Sequence, residues 1–365
     1  MITNLSEKQQ IKWIRILAIL PILILMMYAP KLWISTKDFP VVPLFNWLPI
    51  PKYPFDYILA VGFFFLQIFY LFKPKRWLGI SVIIFYVLLA FIDQNRLQPY
   101  FYQSILTILA IEVFKNKVPP KKVIFAIMLI FFATYFWSGI QKINTIFYEQ
   151  WFSALQKHFS FVPAILLKIF TYLVPWLEAS MGILLLFNKT RKFTVAVIVC
   201  MHSIIIFLLF YLGYGYNVVP WNIQNILSVI ILFWSFKTEK SLEIFTKYFN
   251  YQKIILLIFT IALPFSNLFG LYDHLLSFSF FTSKLNYYYI ELDDELEENL
   301  PENIQQFIRY ENSKPVIYCN EWAAASNKVL FYPEDRIVNY IDEYLCSFAD
   351  NPQQQGLTKL IVYNQ

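Results

Sequence analysis

Three ionisable residues, Lys142, Glu178 and His202, sit in stretches of the chain that are otherwise strongly apolar. Each of these residue types can move a proton. A lysine shielded from water loses its preference for the ammonium form and becomes a usable amine base. Lys142 stands at the end of a long apolar run, in "FWSGIQKINTIF" (136–147), with Gly139 one turn before it and Gln141 and Asn144 beside it. Glycine at that place lets another helix or a ligand come close. Two readings stand for Lys142: a base at the mouth of an intramembrane pocket, or a lysine that extends its ammonium to the membrane surface. His202 and Glu178 lie mid-way along their runs, too deep to reach the surface. Ionisable groups at that depth face the interior of a bundle and have a partner there, as a proton relay, a pocket wall or a helix-to-helix hydrogen bond.

Other polar residues cluster at the ends of apolar runs. "VPWNIQN" (219–225) brings Trp221, Asn222 and Asn225 to the start of one. Asn222 and Asn225 are one turn apart on one face, and two amides there should point inward. Asp93 and Arg96 in "FIDQNRLQPYF" (91–101) read either as a surface salt bridge before a helix stop at Pro99 or as a turn that carries polar groups into the bundle. Asp273 in "GLYDHLLSFSFF" (270–281) reads as a helix cap, and with Asp93 and Arg96 it is a structural or pocket-lining candidate.

The elements that must position these residues are membrane helices. The chain has 365 residues, is 58% hydrophobic and 20% aromatic, and has a mean hydropathy of +0.51. Apolar runs of spanning length recur along most of it, at about 13–29, 55–72, 77–92, 101–114, 122–141, 164–187, 193–212, 223–236 and 253–270. The pattern predicts an all-α polytopic membrane bundle of eight or nine transmembrane helices over residues 1–285. Residues 286–365 read as a small extracytoplasmic α+β domain. Its strands are expected at 287–292, 315–319, 328–331 and 359–363, and its helices at 300–310 and 334–348.

Lysine and arginine alternate between rich loops (the N-terminus, 72–77, 114–122, 188–192 and 237–253) and poor ones. The positive-inside rule then places the N-terminus in the cytoplasm and the C-terminus outside, in a multi-pass protein of a bacterial inner membrane. The net charge of +6 therefore sets orientation and gives no sign of nucleic-acid binding. Three scattered histidines and three cysteines without a CxxC spacing support neither a metal cluster nor a dithiol motif. Cys319 and Cys346 would share an oxidising compartment, where a disulfide between them is one option.

"YFWSGIQKINTIFYEQW" (135–151), "PWLEASMGILLLFNKTRK" (175–192), "VCMHSIIIFLLFY" (199–211) and "FGLYDHLLSFSF" (269–280) resemble the horizontally transferred transmembrane domain of vitamin K-dependent gamma-carboxylases. The resemblance implies a lyase that uses vitamin K hydroquinone or another quinol and acts on a peptide or protein substrate on the outer side. Lys142 would be the base and His202 a second catalytic residue. Glu178, Asn222, Asn225, Trp221 and Gly139 would bind the cofactor. The chain departs from that family where its Asn-His pair would fall, since Pro99 and Tyr100 occupy those places. Two other functions remain: a quinone-linked membrane oxidoreductase subunit that draws electrons from a partner, and a non-enzymatic membrane scaffold.

Overall fold

The computed structural model describes residues 5–114, 119–213, 215–237, 251–279, 281–284 and 286–363. Lys115, Lys117, Lys240, Lys247, Tyr214, Phe280 and Leu285 therefore lie outside the described residues. Ten helices fill the apolar part of the described chain: α1 (Glu7–Tyr28), α2 (Phe55–Phe72), α3 (Arg76–Ile92), α4 (Pro99–Phe114), α5 (Pro120–Gln141), α6 (Thr145–His158), α7 (Ala164–Leu185), α8 (Arg191–Leu212), α9 (Val219–Phe233) and α10 (Tyr251–Asn267). Among the described residues, six segments are long and apolar enough to cross a membrane: α1, α2, α5, α7, α8 and the 216–233 segment that contains α9. The chain is thus a multi-pass membrane protein. The apolar helices α3, α4 and α10 are shorter than these and occupy the other three expected positions. α6 was not expected. It is a short helix between two spans, started by Asn144, whose side chain accepts from the Phe147 amide.

The chain divides into two compact units. The first comprises Met1–Ile24, Leu66–Ile83 and Pro99–Lys284. α5 is its most enclosed span, buried over 83% of its apolar window, as a helix that is hydrophobic all round must be. It packs along α7 and against α4 and α10. α10 carries a π-helical turn at Ile258–Ala262, and there the Thr260 carbonyl accepts from Trp137 Nε1 of α5 at 2.8 Å. α7 and α8 expose broad apolar faces that include Phe170, Trp176, Phe193, Phe207 and Phe210, surfaces suited to lipid.

The second unit comprises Leu25–Phe65, Ile84–Gln98 and Leu285–Gln365. Its four-stranded antiparallel sheet has the order β2-β3-β1-β4, with β1 Tyr287–Leu292, β2 Ile308–Glu311, β3 Lys314–Tyr318 and β4 Thr358–Tyr363. Short helices α11 (Asp294–Asn299) and α12 (Glu302–Gln305) precede β2. α13 (Cys319–Asn327) follows β3, and α14 (Asp335–Cys346) buries Ile337, Ile341 and Leu345, which recur at helical spacing. Trp322 of α13 lies edge-on to Phe39, and Ser326 Oγ accepts from the Phe39 amide. The C-terminal residues thus share a core with the 25–65 segment.

The expected strand at 328–331 is absent, because Lys328 adopts a left-handed φ of 59° that ends α13. The expected helix at 300–310 is instead one turn of helix followed by β2. Cys319 and Cys346 are both free thiols.

Candidate functional site

Gly139 explains why α5 and α7 meet. A Cβ at that position would fall 2.3 Å from the Ala179 amide nitrogen and 2.6 Å from the Pro175 carbonyl, inside the backbone of α7. Only glycine permits that approach. The contact carries Lys142, one turn further along, onto α7. Its Nζ lies 2.5 Å from Glu178 Oε2 and 2.8 Å from Ser138 Oγ. The side chains of Lys142 and Glu178 retain 9% and 15% exposure, so Lys142 is an internal partner of Glu178 rather than a surface anchor.

His202 of α8 is engaged through both ring nitrogens. Nε2 is 2.8 Å from Tyr135 Oη of α5, and Nδ1 is 2.6 Å from Asn222 Oδ1 of α9. The Asn222 amide nitrogen donates to the Val218 carbonyl, which leaves its oxygen to face the imidazole. Nδ1 then carries a hydrogen, and in the neutral imidazole Nε2 accepts from the tyrosine hydroxyl. Glu178 acts electrostatically on both Tyr135 and His202. Lys142, Glu178, Tyr135, His202 and Asn222 thus make a proton-capable group of two hydrogen-bonded sets, Lys142–Glu178 and Tyr135–His202–Asn222, on four helices, with the Glu178 charge acting on the second set.

A second layer lies beside it on α9. Trp221 Nε1 can only donate, and it bonds Gln103 Oε1 of α4 at 2.6 Å. Gln103 must then donate through Nε2, and it does so to Asn225 Oδ1 at 2.7 Å. Asn225 Nδ2 remains a buried donor with no partner. Gln103, and Ser104 paired with Gln224, were absent from the sequence reading. Their only signal is two adjacent polar residues inside an apolar helix.

Asp273 belongs to the same unit. Its carbonyl accepts from the amide and hydroxyl of Ser277, and the Ser277 carbonyl accepts from Gln141 Nε2, which ties this turn to the end of α5. Asp93 and Arg96 belong to the other unit. They form no surface salt bridge. Both are buried, Asp93 pairs with Lys37, and Arg96 donates to the carbonyls of Leu32 and Leu89.

Residues 120–222 match the family of methylamine utilisation protein MauE, a membrane protein family. The match spans less than a third of the chain. It runs from the start of α5 to Asn222 and so contains all five residues of the proton-capable group. No curated protein and no solved structure matches the chain.

The MauE match overturns the resemblance to the vitamin K-dependent carboxylases. Three of the four motifs that suggested it, 135–151, 175–192 and 199–211, lie within the matched residues. Two of those motifs each carry a glycine of close helix packing: Gly139 against α7, and Gly182 against Phe132 and Phe136 of α5. Such residues report how helices meet, which unrelated membrane proteins share. The lyase assignment, which rested on that resemblance, loses its support.

Proposed function

We propose that this protein is the membrane subunit of a redox system, and that it takes a quinone-type molecule beside α9 and handles the protons of its reduction. Reduction of a quinone to a quinol consumes two electrons and two protons. A partner protein supplies the electrons, because the chain has no CxxC spacing and no nucleotide motif. Lys142, Glu178, Tyr135 and His202 hold and pass the protons, and they are replenished from water. The observation that carries this reading is the presence of two hydrogen-bonded sets, Lys142–Glu178 and Tyr135–His202–Asn222, within the MauE-matching residues. Asn225 Nδ2 is the buried donor left for a quinone carbonyl.

The test is a titration of the purified protein, in lipid nanodiscs, with a short-chain ubiquinone, following tryptophan fluorescence. Saturable quenching in the wild type, weakened about tenfold in Asn225→Leu by loss of one buried hydrogen bond, is the expected result. Linear, non-saturating quenching that is identical in wild type and Asn225→Leu would overturn the proposal.

One observation favours a second reading, a scaffold in which the same groups pin helices together: both nitrogens of His202 are already satisfied inside the bundle. Under that reading, substitutions at His202 and Glu178 change stability and leave quinone binding at background.

A further inference from the structure

Lys37 and Asp93, in the second unit, form an ion pair unlike Lys31–Asp38, Arg309–Glu321, Lys314–Glu291 and Lys142–Glu178. Lys37 Nζ lies 2.5 Å from Asp93 Oδ2, and neither side chain exposes any surface. The Lys31–Asp38, Arg309–Glu321 and Lys314–Glu291 pairs are exposed, and Lys142–Glu178 is partly so. The two oxygens of Asp93 also have unlike surroundings. Oδ1 accepts from three N–H groups: the amides of Val42 (3.3 Å) and Asn95 (3.1 Å) and the Asn95 side chain (2.9 Å). Oδ2 bonds only the lysine. Arg96, also buried, adds a positive charge that acts on both residues.

Burial pushes the Lys37 ammonium down; Asp93 opposes this and Arg96 reinforces it. A buried ion pair can discharge by passing the proton across, leaving a neutral amine against a neutral carboxylic acid. The amine is then a nucleophile held in contact with the carboxyl group. The charge of a tetrahedral intermediate would develop on Oδ1, where three N–H donors already point, the arrangement that stabilises such oxyanions. Exclusion of water favours the condensed product over its hydrolysis.

We propose that Lys37 and Asp93 condense to an intramolecular isopeptide bond that ties the segment after α1 to the turn after α3. The Nζ–Cγ bond forms and the Cγ–Oδ2 bond breaks. Oδ2 leaves as water, carrying one proton from the amine and one from the acid. No electron is gained or lost, and no further reactant is needed.

Mass spectrometry of the full chain purified in detergent tests this. The expected results are an intact mass one water below that of the sequence, after allowance for N-terminal processing, and a branched proteolytic peptide joining the regions of Lys37 and Asp93. Lys37→Arg keeps the cation, lacks the nucleophilic amine, and should regain the missing water. An intact wild-type mass equal to that of the sequence, with Lys37 and Asp93 recovered only in separate linear peptides, would overturn the proposal whether or not the variant folds.

Discussion

Tyr135 Oη and His202 Nε2 are 2.8 Å apart in the first unit and join α5 to α8, while Asn222 closes the other side of the ring from α9. Three helices thus depend on one imidazole. His202→Leu leaves a tyrosine hydroxyl and an amide oxygen buried without a partner, which should cost about 1–3 kcal/mol. Unfolding titrations in mixed micelles measure this. Tyr135→Phe combined with His202→Leu should cost less than the sum of the single changes, because the second removes a group that the first has already stranded.

The α5–α7 contact predicts a contrast between two glycines. Gly139→Ala forces a methyl group into the α7 backbone, and overpacking of this kind costs about 1–3 kcal/mol. Gly62→Ala should be tolerated, since a Cβ there meets only Phe85 at 3.8 Å, an ordinary contact. Thermal unfolding of both variants in one detergent checks the contrast.

Asp342 makes stability depend on pH. Burial raises the pKa of its carboxyl, a hydrogen bond from Thr358 partly opposes this, and Oδ1 has no partner. A carboxyl raised in the folded state contributes stability that is fully present below its unfolded pKa of about 4. That contribution is lost as pH rises through the folded value. Asp342→Asn should therefore raise the melting temperature at neutral pH and leave it unchanged in acid. An equal effect at both pH values would contradict this.

The cysteines give a chemical check on the second unit. Burial, and then the Asp342 charge, push the Cys319 thiol up to about 12, so it holds almost no thiolate at neutral pH. Cys319 should resist maleimide in the native protein and react after unfolding. The intact mass should not change on reduction, because Cys319 and Cys346 are separate thiols.

Hydropathy made four of the membrane helices legible to within about two residues: the run at 55–72 is α2, and those at 122–141, 164–187 and 193–212 are α5, α7 and α8. Hydropathy misses a helix such as α6, which is amphipathic and shorter than a span. Lys142, Glu178 and His202 stood out singly, because a charge in an apolar run needs a reason. Their pairing did not, since Lys142 and Glu178 are far apart in sequence and meet only through the packing at Gly139. Lys37 lies in a loop between two apolar runs, where hydropathy assigns it no partner. A loop charge count carries no information on tertiary partners, and this lysine is buried against Asp93. The short elements of the C-terminal sheet were blurred for a related reason. β2 has only four residues, with none fully buried, so alternation had little to register.

Redox-induced infrared difference spectroscopy on the protein in nanodiscs with ubiquinone tests the central claim most directly. Reduction of the bound quinone should produce carboxyl and imidazole bands, with the carboxyl band lost in Glu178→Gln and the imidazole band lost in His202→Leu. A difference spectrum with quinone bands alone, identical in wild type and both variants, would show that these residues take no part in the proton chemistry and would contradict the account.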